Sequence, residues 1–290
     1  MTRPGLQRRR ARGFTLVEAI MVIVIIGILG AIVAVFIRAP IQGYVDTIAR
    51  AEASDEADLA LRRIARDIRL ALPNSVRVNA GGTAIEFLLT KTGGRYLSVE
   101  DEANSGTPLS FDPANPGAQF TVVGRLSEAI VAGQDLIAVF NQGVPGSDAY
   151  EAGTTVLSPV SVGAAAGTDA APITLNPNRF AAANALPSPD ARFQVVSGPV
   201  SYVCEAAPGG GFMLRRYSNY AINAAQAVPP ANARVAMLAA RVASCTNLFR
   251  ADTVAASRAG LVVMSLALRT RNLADPAVRL VHQVRVDNTP

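Results

Sequence analysis

Few side chains in this 290-residue sequence combine the type and spacing that chemistry requires, and they can be weighed one by one. His282 is the single histidine. It lies in the alternating stretch Leu280, His282, Val284, Val286, which reads as a strand with one wet face. No G-x-S-x-G or comparable nucleophile context accompanies it, so packing explains it better than a triad base does. One histidine and two distant cysteines cannot assemble a zinc site of usual composition, and no acid spacing suits calcium. Pro208-Gly209-Gly210-Gly211 lacks the Lys-Ser/Thr of a phosphate loop and lies between apolar runs, as a hairpin turn would. These readings argue against an enzyme and against any bound metal or cofactor. Glu18 is different. It sits near the start of RRRARGFTLVEAIMVIVIIGILGAIVAVFI, residues 8–37, where a carboxylate is expensive.

The elements that must position Glu18 follow from the same stretch. Ala19 to Ile37 is uncharged, and Phe14–Ile37 gives 24 residues. That is about 36 Å of helix, enough to span a hydrocarbon core of about 30 Å. Arg3, Arg8, Arg9, Arg10 and Arg12 precede it, which places the N-terminus in the cytoplasm and the rest across the membrane. The apolar run is too long for an ordinary secretory signal, and no A-x-A-like site follows it. The same five arginines account for the whole net charge of +5: without them 22 basic residues face 22 acidic ones. A balanced body argues against a nucleic-acid partner. Glu18 can snorkel to the headgroups, or it can meet a cation. Cleavage after Gly13 would supply one, the new amine of Phe14, one helical turn away or on a neighbouring chain.

Gly13-Phe14-Thr15-Leu16-Val17-Glu18, after a basic leader and before a long apolar run, resembles the type IV pilin and pseudopilin signature. The resemblance implies cleavage after Gly13 and N-methylation of Phe14 by a prepilin peptidase/N-methyltransferase. It also implies that Glu18 is the assembly carboxylate, neutralising an N-terminal amine as subunits enter a filament. Residues 36–46, 55–78 and 280–290 are further similar to the MshO type of minor pilin of the mannose-sensitive haemagglutinin (MSHA) pilus, and more distantly to the J group of type II secretion pseudopilins. The partners implied are other minor pilins, the major pilin, the inner-membrane assembly platform and the membrane itself. The chain would be a single-pass inner-membrane protein with a periplasmic head, later carried to the pilus and cell surface. Two other roles stay open: a pseudopilin of a secretion tip complex, and an adhesin or ligand-binding module delivered on a pilus.

The fold expected is α+β and pilin-like, a long N-terminal helix packed on an antiparallel sheet. Its parts are a leader (1–13), a transmembrane helix (14–38), an extramembrane continuation (39–72) and a β-rich head (73–290). Pro40 predicts a kink or short break. Beyond it Leu61, Ile64, Ala65, Ile68 and Leu72 mark an apolar face, with Asp58–Arg62 and Arg63–Asp67 as i,i+4 pairs, and Pro73 ends the helix. Strands are expected at Val76–Val78 and Ile85–Leu89, with Gly93-Gly94 turning the chain before Arg95–Leu97. Within a loop-rich insertion, 98–190, short apolar runs such as Phe120–Val123 and Leu136–Phe140 stand out as strands. Others follow at Phe193–Val196, Ser201–Cys204, Phe212–Tyr217 and Leu261–Leu268, while Val235–Ser244 fits strand or helix. Cys204 and Cys245, placed beyond the membrane, predict a disulfide.

Overall fold

A computed structural model describes residues 13–101, 105–252, 259–270 and 276–289. The leader arginines lie outside the described residues. Among the described residues one helix, α1 (Leu16–Arg69), precedes twelve strands. The chain divides into two compact units, residues up to Ala51 and Glu52–Pro290. In the first, Leu16–Ala34 is long and apolar enough to cross a membrane, with none of it buried within the protein. Helix α1 continues through Pro40 as one element.

In the second unit the remaining turns of α1 lie on a sheet. Strands β1 (Arg77–Val78), β2 (Ala84–Tyr96), β7 (Arg192–Ala206), β8 (Phe212–Ser218) and β9 (Arg234–Val242) pair in that order, all antiparallel. The C-terminus of β9 meets β11 (Ala259–Leu268), which carries β12 (Val278–Asp287) along its full length and β10 (Phe249–Asp252) on its other side. Alternate residues point at the helix, as period two requires. Phe87, Val200, Tyr202, Leu214, Val242, Met264, Leu266 and Val284 bury against Ala57, Leu61, Ile64, Ala65 and Ile68. The apolar face read at 3.6-residue spacing is therefore the face that packs.

The helix ends earlier than expected, at Arg69. Ala71 already bridges Leu89, and the Leu72 N–H donates to the Leu88 carbonyl at 2.8 Å. One of its two predicted charge pairs also differs. Asp58 and Arg62 meet at 2.8 Å on the exposed face. Asp67 instead turns to the sheet, accepting from Arg216 Nε at 2.9 Å and from the Tyr202 hydroxyl at 2.7 Å. Burial, reinforced by the Asp67 charge, pushes the Tyr202 hydroxyl's pKa well up, so it remains a donor. Glu56 makes a second tie, accepting the Ala240 N–H at 2.7 Å and Arg241 at 3.0 Å. Asp67→Ala strands Arg216, a side chain only 17% exposed, and should cost about 3 kcal/mol. Urea unfolding of that variant against Asp67→Leu/Arg216→Met is the check, the double variant recovering most of the loss.

A second lobe grows from the far halves of β2 and β7. Residues 98–190 supply β3 (Gln119–Val123), β4 (Leu136–Ala138), β5 (Leu157–Val162) and β6 (Pro172–Leu175). The pairings β2–β3, β3–β6, β6–β5, β5–β4, β4–β7 and β7–β2 close a six-stranded ring. Its interior is filled by Tyr96, Phe120, Val122, Ile137, Ile173, Phe193 and Val195, as a narrow barrel demands. Gly93-Gly94 is not a turn: β2 runs through it, with register shifts at Leu89–Thr92. A Cβ on Gly93 would lie 2.9 Å from the Phe193 carbonyl oxygen, and one on Gly94 3.0 Å from the Phe193 ring. The glycines allow close strand contact. Likewise Phe193–Val196 and Ser201–Cys204 are parts of one strand, β7.

Two side-chain amides, those of Asn74 and Asn141, join the lobe to the main sheet. Asn74 donates to the Asn141 carbonyl at 2.8 Å and the Asn288 carbonyl at 3.1 Å, while Asn141 donates to the Pro73 carbonyl at 2.6 Å. Tyr150 adds a hydroxyl bond to the Ser75 carbonyl and a ring over which Arg77 sits at 3.7 Å. Apolar contacts of Leu72, Leu88 and Val196 with Ala138, Tyr150 and Leu157 fill the remaining space.

Candidate functional site: the N-terminal assembly motif

Thr15 starts the helix. Its carbonyl accepts the Ala19 N–H at 3.1 Å and its Oγ1 accepts the Glu18 N–H at 3.3 Å. Thr15 is thus the N-cap and Glu18 the third helical residue, the T-x-x-E arrangement of a capping box. The Glu18 carboxylate makes no hydrogen bond or ion pair among the described residues. It stands exposed in the first turn, where the helix dipole favours an anion. Gly13 and Phe14 precede the helix in non-helical backbone, and Phe14 is 79% exposed.

The geometry therefore brings three of the residues singled out by sequence into one short segment. Gly13 offers an unobstructed peptide: a Cβ there would meet nothing within 4 Å. Phe14 and Glu18 are separated by one cap residue and the first helical turn. Thr15 was missed as a functional element by sequence reasoning, although T-x-x-E before an apolar run is a readable signal. Its hydroxyl takes up the Glu18 backbone N–H, one of the donors left without a helical partner at a helix start.

The other residues singled out lie elsewhere. Pro40 is within α1, and the kink predicted there is a proposal. Cys204 on β7 and Cys245 after β9 are bonded, with Cα atoms 5.4 Å apart, closing a 41-residue separation at the edge of the main core. His282 lies opposite Met264 on the neighbouring strand, half-buried.

Residues 8–34 match the family description "prokaryotic N-terminal methylation motif". No curated protein and no solved structure matches the chain. The match gives residues 8–34 the N-terminal motif of type IV pilin-like and pseudopilin-like proteins, a motif that implies processing by a prepilin peptidase and assembly with other pilins. With the apolar α1 segment it also marks the N-terminus as a membrane anchor.

Proposed function

We propose that the chain is a minor pilin of the MSHA type, close to MshO, which helps to initiate, cap or extend a type IV filament. The observation that carries this reading is the methylation motif at residues 8–34 with Glu18 held in the first turn of α1, whose residues 16–37 are otherwise uncharged. Cleavage after Gly13 removes all five leader arginines and leaves Phe14 as the methylated terminus. The helix then anchors the protein in the inner membrane with its head in the periplasm. On assembly the Glu18 carboxylate meets an N-terminal amine of a neighbouring subunit. Two charges taken into low dielectric cost far less paired than alone, so axial stagger is selected by their meeting.

The head favours a low-copy position. It comprises 218 residues from Pro73 onward, and its second lobe adds a whole extra core beside the sheet. A shaft repeats its subunits tightly; a tip or an initiation complex leaves room for such a head.

A photo-activated cross-linker at Leu16 of the full-length chain tests the assignment. Capture of pilins of an attachment filament supports it, whereas capture of secretion pseudopilins would transfer the protein to a secretion tip complex. Processing has its own test. Gly13→Leu should leave a protein heavier by its leader and still in the membrane fraction, as intact-mass spectrometry would show. Wild-type mass in that variant would refute cleavage at this bond.

A further inference from the structure

The helix-packed sheet ends at β12 in an open edge. Among the described residues this strand pairs with β11 alone, along ten residues. Its other side therefore presents a row of N–H and C=O groups on which a further strand can be laid. We propose that the edge pairs with β12 of a second copy of the chain, antiparallel and centred on Gln283, so that two heads share one sheet.

The order of side chains singles out a second copy as the occupant. Arg279, Val281, Gln283, Arg285 and Asp287 alternate along β12 on the face away from the helix, and all five are exposed. Asp287 accepts the Thr289 N–H at 3.0 Å, and among the described residues neither arginine has an acidic partner. Two copies of one strand pair antiparallel about a two-fold axis perpendicular to the sheet, and the residue on the axis fixes the register. With Gln283 there, Arg279 faces Asp287 of the second copy, and the reverse pair forms at the other end. The two Gln283 amides meet at the centre, each able to donate and accept. An axis at His282 would instead set Arg279 against Arg285. An axis at Val284 would set Asp287 against Val281 and leave the charges unmatched. Opposite charges directly across strands stabilise and like charges destabilise, so charge selects one register of the three.

Apolar surface agrees with that register. Val281 is 59% exposed, and Leu261, opposite Arg285 on β11, is 42% exposed. In the joined sheet the Arg285 stem lies between Leu261 and Val281 of the second copy, covering both. On the helix side Leu280 and His282 are half-buried, whereas Val284 and Val286 are buried. The same register sets Val286 of the second copy opposite Leu280 and Val284 opposite His282, which carries the core across the junction. The axis also makes residues 52–69 of the two helices run in opposite directions on one face. Subunits of one filament all run the same way, so this contact is separate from the assembly contact of Glu18.

Single cysteines test both pairing and register, because Cys204 and Cys245 are bonded to each other and an added cysteine is the sole free thiol. The full chain would be treated in dilute detergent with a short thiol-to-thiol cross-linker. Directly opposite residues have Cβ atoms about 4.5–5.5 Å apart, whereas the two copies of residue 281 would lie about 14 Å apart. Gln283→Cys should therefore give a cross-linked dimer. Val281→Cys and Arg285→Cys should each give little alone and cross-link when mixed. Arg279→Asp in the Gln283→Cys chain should weaken dimerisation about tenfold on dilution, and adding Asp287→Arg should restore it. These positions are exposed, so every variant should keep wild-type circular dichroism. No dimer from Gln283→Cys, an equal yield from Val281→Cys alone, or a yield indifferent to charge reversal would each overturn the proposal.

Discussion

Glu18→Val should be inserted in the membrane and cleaved after Gly13 at wild-type levels, yet be recovered with assembled filaments at about a hundredth of the wild-type amount or less. The two halves of this expectation have separate causes. Insertion becomes easier, because a carboxylate in a spanning helix costs up to about 2.5–3.5 kcal/mol on insertion scales. Cleavage depends on the segment before the helix, and Thr15 still caps the first turn through the backbone N–H of residue 18. Assembly, however, loses the anion that the incoming amine requires. If that amine enters low dielectric alone, its burial costs several kcal/mol, and about 2.7 kcal/mol already corresponds to a hundredfold. The measurement is the ratio of variant to major pilin in sheared filaments, with processing followed by intact mass. Equal incorporation of Glu18→Val would refute the docking role. Glu18→Asp, which keeps the charge on a shorter stem, should fall between the two.

The second large effect concerns the head. Cys204→Ser/Cys245→Ser should lower its unfolding free energy by about 3–5 kcal/mol by the chain-entropy argument. Cys204 lies on β7 amid the helix-facing core, and Cys245 follows β9, so the bond ties the middle of the sheet to the segment that leads into β10. Asn247 and Phe249, just beyond, donate to the carbonyls of Gly81 and Gly82 in the β1–β2 turn. Without the bond, the 243–252 segment should open first, and hydrogen exchange there should rise more than in β2 or β7. Denaturant midpoints of the double variant and of reduced wild-type protein should agree. A double variant as stable as oxidised wild type would show that the bond adds nothing.

How far the sequence foretold this molecule differs by region, and the reason is the range of the forces involved. The apolar face at Leu61, Ile64 and Ile68 is a local pattern, and so is the alternation from Leu280 to Val286. Both are built as read. Asp67 is the counterexample. Arg63 is four residues away, but Tyr202 and Arg216 hold the carboxylate from strands 135 and 149 residues distant. Local spacing cannot report that. Gly93-Gly94 failed for the same reason: only the approach of Phe193 distinguishes a strand glycine from a turn glycine. Strands β5 and β6 escaped notice because Pro159 and Pro172 lie within them and small residues surround them. At the assembly motif nearly everything was local and legible. The facing of Arg95 and Arg192 was not, because those residues become neighbours only once β2 and β7 pair.

That pairing has one more consequence. The Tyr96 N–H donates to the Ala191 carbonyl at 2.8 Å, so the chain leaves the main sheet and re-enters it through the same doorway. Everything between is a cassette. A two-residue hairpin could bridge those ends, and so could any folded module whose termini lie about 5 Å apart. The strand order of the helix-packed sheet would be unchanged. Such an architecture lets the exposed cargo be exchanged while the assembly machinery meets the same anchor each time.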